Sequence, residues 1–296
     1  MKIGALEAGG TKMVCAVGSM KGEIYDQISI PTEKPEVTIP KIIQYFKTHE
    51  IDCLGVGCFG PIDLNKKSDT YGFIKNTPKT EWINYNIIGN FKEALNVPVG
   101  FDTDVNGSVL GEVTFGCAQN LDCVVYITVG TGIGVGAYIN GRTLQGMMHP
   151  EAGHVLIKKN IEDDYEGICP YHKSCLEGLA SGSAIEKRWG RKGTELEGNS
   201  EVWELEASYL AQAIINYIYT YSPQKVILGG GIMHQKQLFP LIRKKVLELN
   251  KDYLTCNELL DINTYIVPPS LGDNQGIMGA LELGRKAYIH CKESSY

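Results

Sequence analysis

The stretch ICPYHKSCLEG holds three soft or borderline metal ligands, Cys169, His172 and Cys175, each separated by two residues in a loop that contains a proline. That spacing lets one tight turn aim all three side chains at a single point, as a tetrahedral zinc ion requires. A fourth ligand is expected from the HPEAGHV segment just upstream, with His154 the first choice and His149 the alternative. Four protein ligands would close the shell, so the metal is expected to be a structural Zn²⁺ that pins the loop from 158 to 174. A second group sits in VGFDTDVNG, where Asp102 and Asp104 end an apolar run two residues apart, on one face of a strand. A carboxylate at a strand end can accept a proton from a hydroxyl that attacks phosphorus. One of the two aspartates is also expected to cap a helix beginning near Asn106. Asn76 in IKNTPKTEW, and Glu151 with His154 in MHPEAGH, are polar groups beside glycine and proline turns, as in a sugar pocket.

Two glycine turns are the third constellation. LEAGGTKMVCAV and VVYITVGTGIGVGAYING share one plan: an apolar run, a glycine-threonine turn, and a second apolar run of β-branched or small residues. Neither second run has a helical period, so each stretch is expected to be a strand–turn–strand hairpin. A dinucleotide fingerprint or a Walker loop would open a helix at this point, and both are excluded. Consecutive amides in a tight glycine turn still form an anion nest, to which Thr11 and Thr131 add hydroxyl donors. The repetition, one turn opening each half, points to a duplicated phosphate clamp.

The elements that must position these groups alternate strand and helix. Strands are expected over CLGVGCFG, VPVGFDTD and KVILGGG, and helices over 41–49 after Pro40, over NGSVLGEVTFG to about Gly116, from Val202 to Pro223, over LFPLIRKKVLEL, and over about 274–288. This predicts an α/β protein of two halves, 1–117 and 118–296, with the last helix packing back on the first. Each half would carry a mainly parallel sheet opened by an antiparallel hairpin, with both glycine turns facing a cleft between the halves.

Composition narrows the class. A chain of 296 residues with net charge −6 and no Lys/Arg run gives no general attraction to nucleic acid, and no apolar run reaches the length of a membrane span. Nine scattered cysteines fit a reducing cytoplasm better than a disulfide framework. No basic-then-apolar leader precedes Ile3, so no signal peptide is expected.

In LEAGGTK, CFGPID, DTDVNG, VGTGIGVG, PEAGH, CPYHKSCLEGLASG and GGGI, the whole chain resembles the ROK family of sugar kinases and sugar-sensing repressors, and within it the bacterial zinc-containing fructokinases. The resemblance implies two actin-like, ribonuclease-H-like ATPase domains around a cleft, MgATP as co-substrate, a hexose as substrate and a homodimeric assembly. It implies a first phosphate loop at Gly9, Gly10, Thr11 and Lys12, a second at Gly130, Thr131 and Gly132, and an adenosine segment at Gly229, Gly230 and Gly231. Asp104 matches the catalytic base. Asn76, Glu151 and His154 match sugar contacts, with Glu177 a further one, and His154, Cys169, His172 and Cys175 match the zinc ligands. Two positions depart from the pattern: Glu7 stands where an aspartate usually helps place Mg²⁺, and Thr103 where an asparagine usually binds sugar. The expected reaction is ATP-dependent phosphorylation of fructose to fructose 6-phosphate. Mannose, glucose or an N-acetylhexosamine are alternative substrates, and a non-catalytic sugar sensor is the alternative of another class. The repressors place a helix-turn-helix ahead of the first loop; none is expected here, with Met1 immediately before it.

Overall fold

The computed structural model describes residues 1–294. The chain forms two compact units, one of Met1–Asn120, Thr143–His149 and the segment from Ser270 onward, the other of Leu121–Arg142 and Pro150–Pro269.

In the first unit, β1 (Ile3–Ala8) and β2 (Lys12–Gly18) form an antiparallel hairpin, β3 (Ile24–Pro31) extends it, and β4 (Cys53–Cys58) and β5 (Val99–Thr103) add in parallel. The sheet order is β3-β2-β1-β4-β5. Strand β4 is buried at every residue, because helices cover the central strands on both faces. Helix α1 (Pro35–His49) and α2 (Ile87–Leu95) supply Ile39, Ile42, Phe46 and Phe91 to one core. Helix α3 (Asp104–Phe115) and the last helix, α10 (Gln275–Glu293), belong to the other side. These two helices approach to backbone contact: a Cβ on Gly279 would lie 1.7 Å from the carbonyl oxygen of Gly107. Only glycine fits there, so a seam of glycines sets how deeply the last helix seats.

The second unit repeats the plan. Strands β6 (Cys123–Val129) and β7 (Ile133–Ile139) form the hairpin, β8 (Arg142–Thr143), whose Thr143 belongs to the first unit, lies at the edge of the sheet, and β9 (Lys225–Gly229) and β10 (Ile266–Val267) add in parallel. The order β8-β7-β6-β9-β10 matches that of the first sheet strand for strand. Two short helices follow, α4 (Leu176–Ala180) and α5 (Gly182–Trp189), then the long α6 (Ser200–Tyr221) and α7 (Leu238–Asn250). Two single-turn helices, α8 (Asn257–Leu260) and α9 (Ile262–Tyr265), lead into β10. Helix α6 buries Val202, Trp203, Leu210, Ile214 and Ile218, the helical spacing visible in the sequence.

One expected helix is corrected. Helix α1 begins at Pro35, not after Pro40, which lies inside it. Pro35 sits at the start, where its missing N–H forfeits nothing, and Pro40 comes early enough to sacrifice a single helical bond while Ile39 and Ile42 anchor the turn. No helix among the described residues is long and apolar enough to cross a membrane.

Candidate functional site

The first glycine turn joins β1 to β2. Gly9 N–H donates to Lys12 O at 3.1 Å, and the Thr32 hydroxyl donates to Gly9 O at 2.7 Å. Thr32 N–H donates to Thr11 O at 3.0 Å. These bonds occupy the carbonyls of Gly9, Thr11 and Lys12, and the side chains of Thr11 and Lys12 stand exposed at the tip. Glu7 precedes the turn on β1, and the sheet register sets Glu7 beside Gly57 and Gly57 beside Asp102. Gly57 carries no side chain in that row, and a Cβ there would be 3.5 Å from Asp104 Cα. Asp104 is the first residue of α3. Burial pushes the Asp104 carboxyl up to about 6. Burial first, then the charge of Asp104, raises Glu7 to about 7; Lys12 opposes that shift and Asp273 adds to it. Two neighbouring carboxylates that both resist ionisation are suited to proton transfer near neutral pH.

The cap of α3 differs from expectation. Neither aspartate caps it: Thr103 is the N-cap, its hydroxyl accepting from Asn106 N–H at 3.1 Å, and the helix begins at Asp104 rather than near Asn106. Thr103 is therefore buried and engaged by the backbone. Asp102 serves as a brace. Its carboxylate accepts from Thr103 N–H at 2.8 Å, from the Asn106 amide at 2.7 Å and from the Thr143 hydroxyl at 2.6 Å. These bonds fix the strand-to-helix turn that carries Asp104. Asn76 is exposed in the loop ahead of α2.

In the second unit the turn between β6 and β7 is tighter, with Gly130 N–H donating to Gly132 O at 2.9 Å and Thr131 exposed. The Gly229–Gly231 segment leaves β9 beside it. Gly230 has a φ of +88°, and a Cβ on it would meet the Val129 backbone at 2.5 Å, so the chain must be glycine there. Glu151 and His154 share one short turn, closed by His154 N–H donating to Glu151 O at 3.0 Å and held by Tyr217, whose hydroxyl donates to Ala152 O.

The four expected zinc ligands come together. Donor atoms of His154, Cys169, His172 and Cys175 all lie within 4.8 Å of one another. Cys169 Sγ is 3.7 Å from both His154 Nδ1 and His172 Nδ1, and Cys175 Sγ is 3.5 Å from His154 Nδ1. A tetrahedral zinc with ordinary Zn–S and Zn–N bonds sets sulfur and nitrogen about 3.5 Å apart, so the donor set fits the ion. His149 stands elsewhere: it is buried in the first unit and accepts Ile62 N–H at 3.1 Å through Nε2. Because His154 turns Nδ1 toward the sulfurs, its Nε2 faces outward, 3.8 Å from Glu177 Oε1. A carboxylate behind a ligating imidazole is the usual second support of a zinc histidine.

The ROK family profile matches residues 3–287. The chain belongs to the ROK family. It is 52% identical over 286 residues to a candidate fructokinase of Bacillus subtilis (strain 168), covering 96% of each chain. It is 42% identical over 287 residues to the fructokinase of Pediococcus pentosaceus, covering 97% of this chain and 99% of that one. Among solved structures, the ROK hexokinase of Thermus thermophilus superposes with a TM-score of 0.80 at 24% identity, over 99% of this chain and 100% of that one. The fold is thus α/β, the doubled sheet of a ROK kinase with its actin-like, ribonuclease-H-like plan.

Three participants were not legible beforehand. Asp273 acts on Glu7 from the turn just ahead of α10, far along the chain. Thr143 and Gly276 likewise act by contact, the first on Asp102 and the second on Glu7. A lone threonine, or a glycine early in a helix, carries no signal of its own.

Proposed function

We propose that this ROK protein is an ATP-dependent hexose kinase that converts fructose to fructose 6-phosphate. The observation that carries the reading is Asp104, a carboxylate raised to about 6 at the mouth of a strand-to-helix turn, beside a glycine turn of the phosphate-binding type. Near-full-length relatives named fructokinase, at 52% and 42% identity, support the sugar.

Asp104, ionised at neutral pH, accepts the proton of the terminal hydroxyl as that oxygen forms its bond to the γ-phosphorus. The bond from phosphorus to the bridging oxygen breaks, and ADP leaves. The glycine turns at 9–11 and 130–132 hold phosphate through amides and the hydroxyls of Thr11 and Thr131. Mg²⁺, when bound, neutralises charge on the phosphates, with Glu7 as the residue on its side. Asn76, Thr103, Glu151, His154 and Glu177 address the sugar. The Gly229–Gly231 segment addresses the adenosine. His154, Cys169, His172 and Cys175 would hold a structural Zn²⁺, which would pin the loop from 158 to 174 between His154 and Glu177.

A cytoplasmic setting is supported by the nine scattered cysteines, a pattern that suits a reducing compartment better than a disulfide framework; burial raises Cys15 to about 12, where it is inert. The resemblance also implies a homodimer, which sedimentation of the purified chain reads directly. The kinase is tested by ADP release with MgATP against fructose, mannose, glucose and N-acetylmannosamine. Turnover strongest with fructose is expected. Turnover with another sugar alone moves the substrate and keeps the mechanism. Folded, zinc-loaded protein that binds a sugar and turns over none makes it a sensor.

A further inference from the structure

Glu177 touches two things at once. Its Oε2 accepts the backbone N–H of Ile133 at 3.0 Å, at the residue that leaves the second glycine turn. Its Oε1 faces Nε2 of His154, the imidazole whose Nδ1 points at Cys169 and Cys175. The fit is close on every side. A Cβ on Gly132 would stand 2.5 Å from Glu177 Oε2, so any larger residue in the turn would make this carboxylate shift. On the opposite side of the same strand end, a Cβ on Gly153 would stand 1.8 Å from Ile133 O, so the turn bearing Glu151 and His154 also rests on Ile133. The backbone makes the same connection. Cys175 immediately precedes α4, Glu177 lies in its first turn, and the chain passes directly into Gly182, whose N–H donates to Gly130 O at 2.7 Å.

From this we infer that Glu177 is a positioning residue that couples the zinc centre to the second phosphate turn, so that metal occupancy and nucleotide affinity are linked through one carboxylate. The inference rests on the reading of residues 130–132 as a phosphate turn. It assigns Glu177 a task distinct from touching the sugar. The carboxylate orients the His154 ring on the metal side and fixes the Ile133 amide on the nucleotide side, so that disturbing one end disturbs the other. Linkage makes the effect reciprocal: nucleotide bound at the turn holds the zinc, and zinc holds the turn.

The test compares Glu177→Ala and Glu177→Gln with the wild type. Affinities for AMPPNP and fructose are measured by calorimetry, and zinc release to a chromophoric chelator is timed with and without AMPPNP. Glutamine keeps an oxygen for Ile133 N–H but brings no negative charge to His154. The alanine variant is expected to bind AMPPNP on the order of tenfold more weakly and to release zinc faster, since both contacts are lost. The glutamine variant is expected to keep AMPPNP affinity within about threefold and still to release zinc faster, since only the charge behind His154 is gone. In the wild type AMPPNP slows zinc release; in the alanine variant that protection is lost. The inference is overturned if the alanine variant binds AMPPNP normally, if only its fructose affinity falls, or if AMPPNP protects zinc equally in both. A wild type that binds no AMPPNP defeats the kinase reading and the nucleotide half of the inference together. Zinc release from the glutamine variant still judges the metal half by itself.

Discussion

Replacing Asp104 with asparagine should make the protein more stable and nearly inactive. The carboxyl group is raised from 3.8 to about 6, with burial the largest cause. At 1.36 kcal/mol per factor of ten in proton affinity, that rise is on the order of 3 kcal/mol. The sign follows from proton binding. Because the folded pKa is the higher one, the native state holds the proton more tightly between about pH 4 and 6, and wild-type stability falls as pH rises through that window. Above it the full penalty of a buried charge is present. Asparagine cannot ionise, yet it keeps the oxygen that accepts Val105 N–H at 2.9 Å. Relief of Glu7, which Asp104 also raises, acts in the same direction. Urea denaturation at pH 8 should therefore find the variant more stable by about 3 kcal/mol, with the gain gone near pH 4. Turnover should fall by about 10²–10⁴, the usual worth of a positioned base. Equal or lower stability at pH 8, or a gain that persists at pH 4, would refute the argument from burial. Near-normal turnover would refute the assignment of the base.

Three further outcomes follow from the same residues. The kcat/KM of the wild type should decline below about pH 6 as Asp104 takes up its proton, and a profile flat down to pH 5 would show that another group serves as base. Elemental analysis should find about one zinc per chain, and Cys169→Ala or Cys175→Ala should lose the metal and several kcal/mol of stability; a metal-free preparation of equal stability removes the zinc centre. Gly276→Ala places a Cβ 2.5 Å from Glu7 Cδ and should displace that carboxylate, lowering turnover on the order of 10²-fold. Shortening its partner in Glu7→Asp/Gly276→Ala should recover much of the loss; no recovery would mean the alanine acts on α10 and not on Glu7.

What was legible in the sequence was whatever repeats or is spaced by local geometry. The two hairpins showed because apolar runs flanked the same glycine-threonine turn twice, and the cysteine–histidine cluster because Cys169, His172 and Cys175 lie within seven residues of chain. Long helices such as α6 showed through their period. The exposed strand β3 and the short α2 did not, since a strand open on one edge carries little apolar signal. The start of α1 was misplaced because Pro40 looked like a boundary, while burial of Ile39 before it and Ile42 after it held the helix on both sides. The cap of α3 was misassigned because aspartate and threonine are both good caps, and only the three bonds drawn by Asp102 leave Thr103 to do it. Contacts between residues far apart in the chain, Glu7 with Gly276 and Asp102 with Thr143, have no local signature.

The most direct test of the central claim is an NMR identification of the product formed from fructose and MgATP by the purified protein. Phosphate on the terminal C6 hydroxyl, with one ADP per product and formation slowed at least about 10²-fold in the Asp104→Asn variant, is the predicted result. Phosphate on another carbon, equal product from the variant, or ADP without sugar phosphate would contradict it.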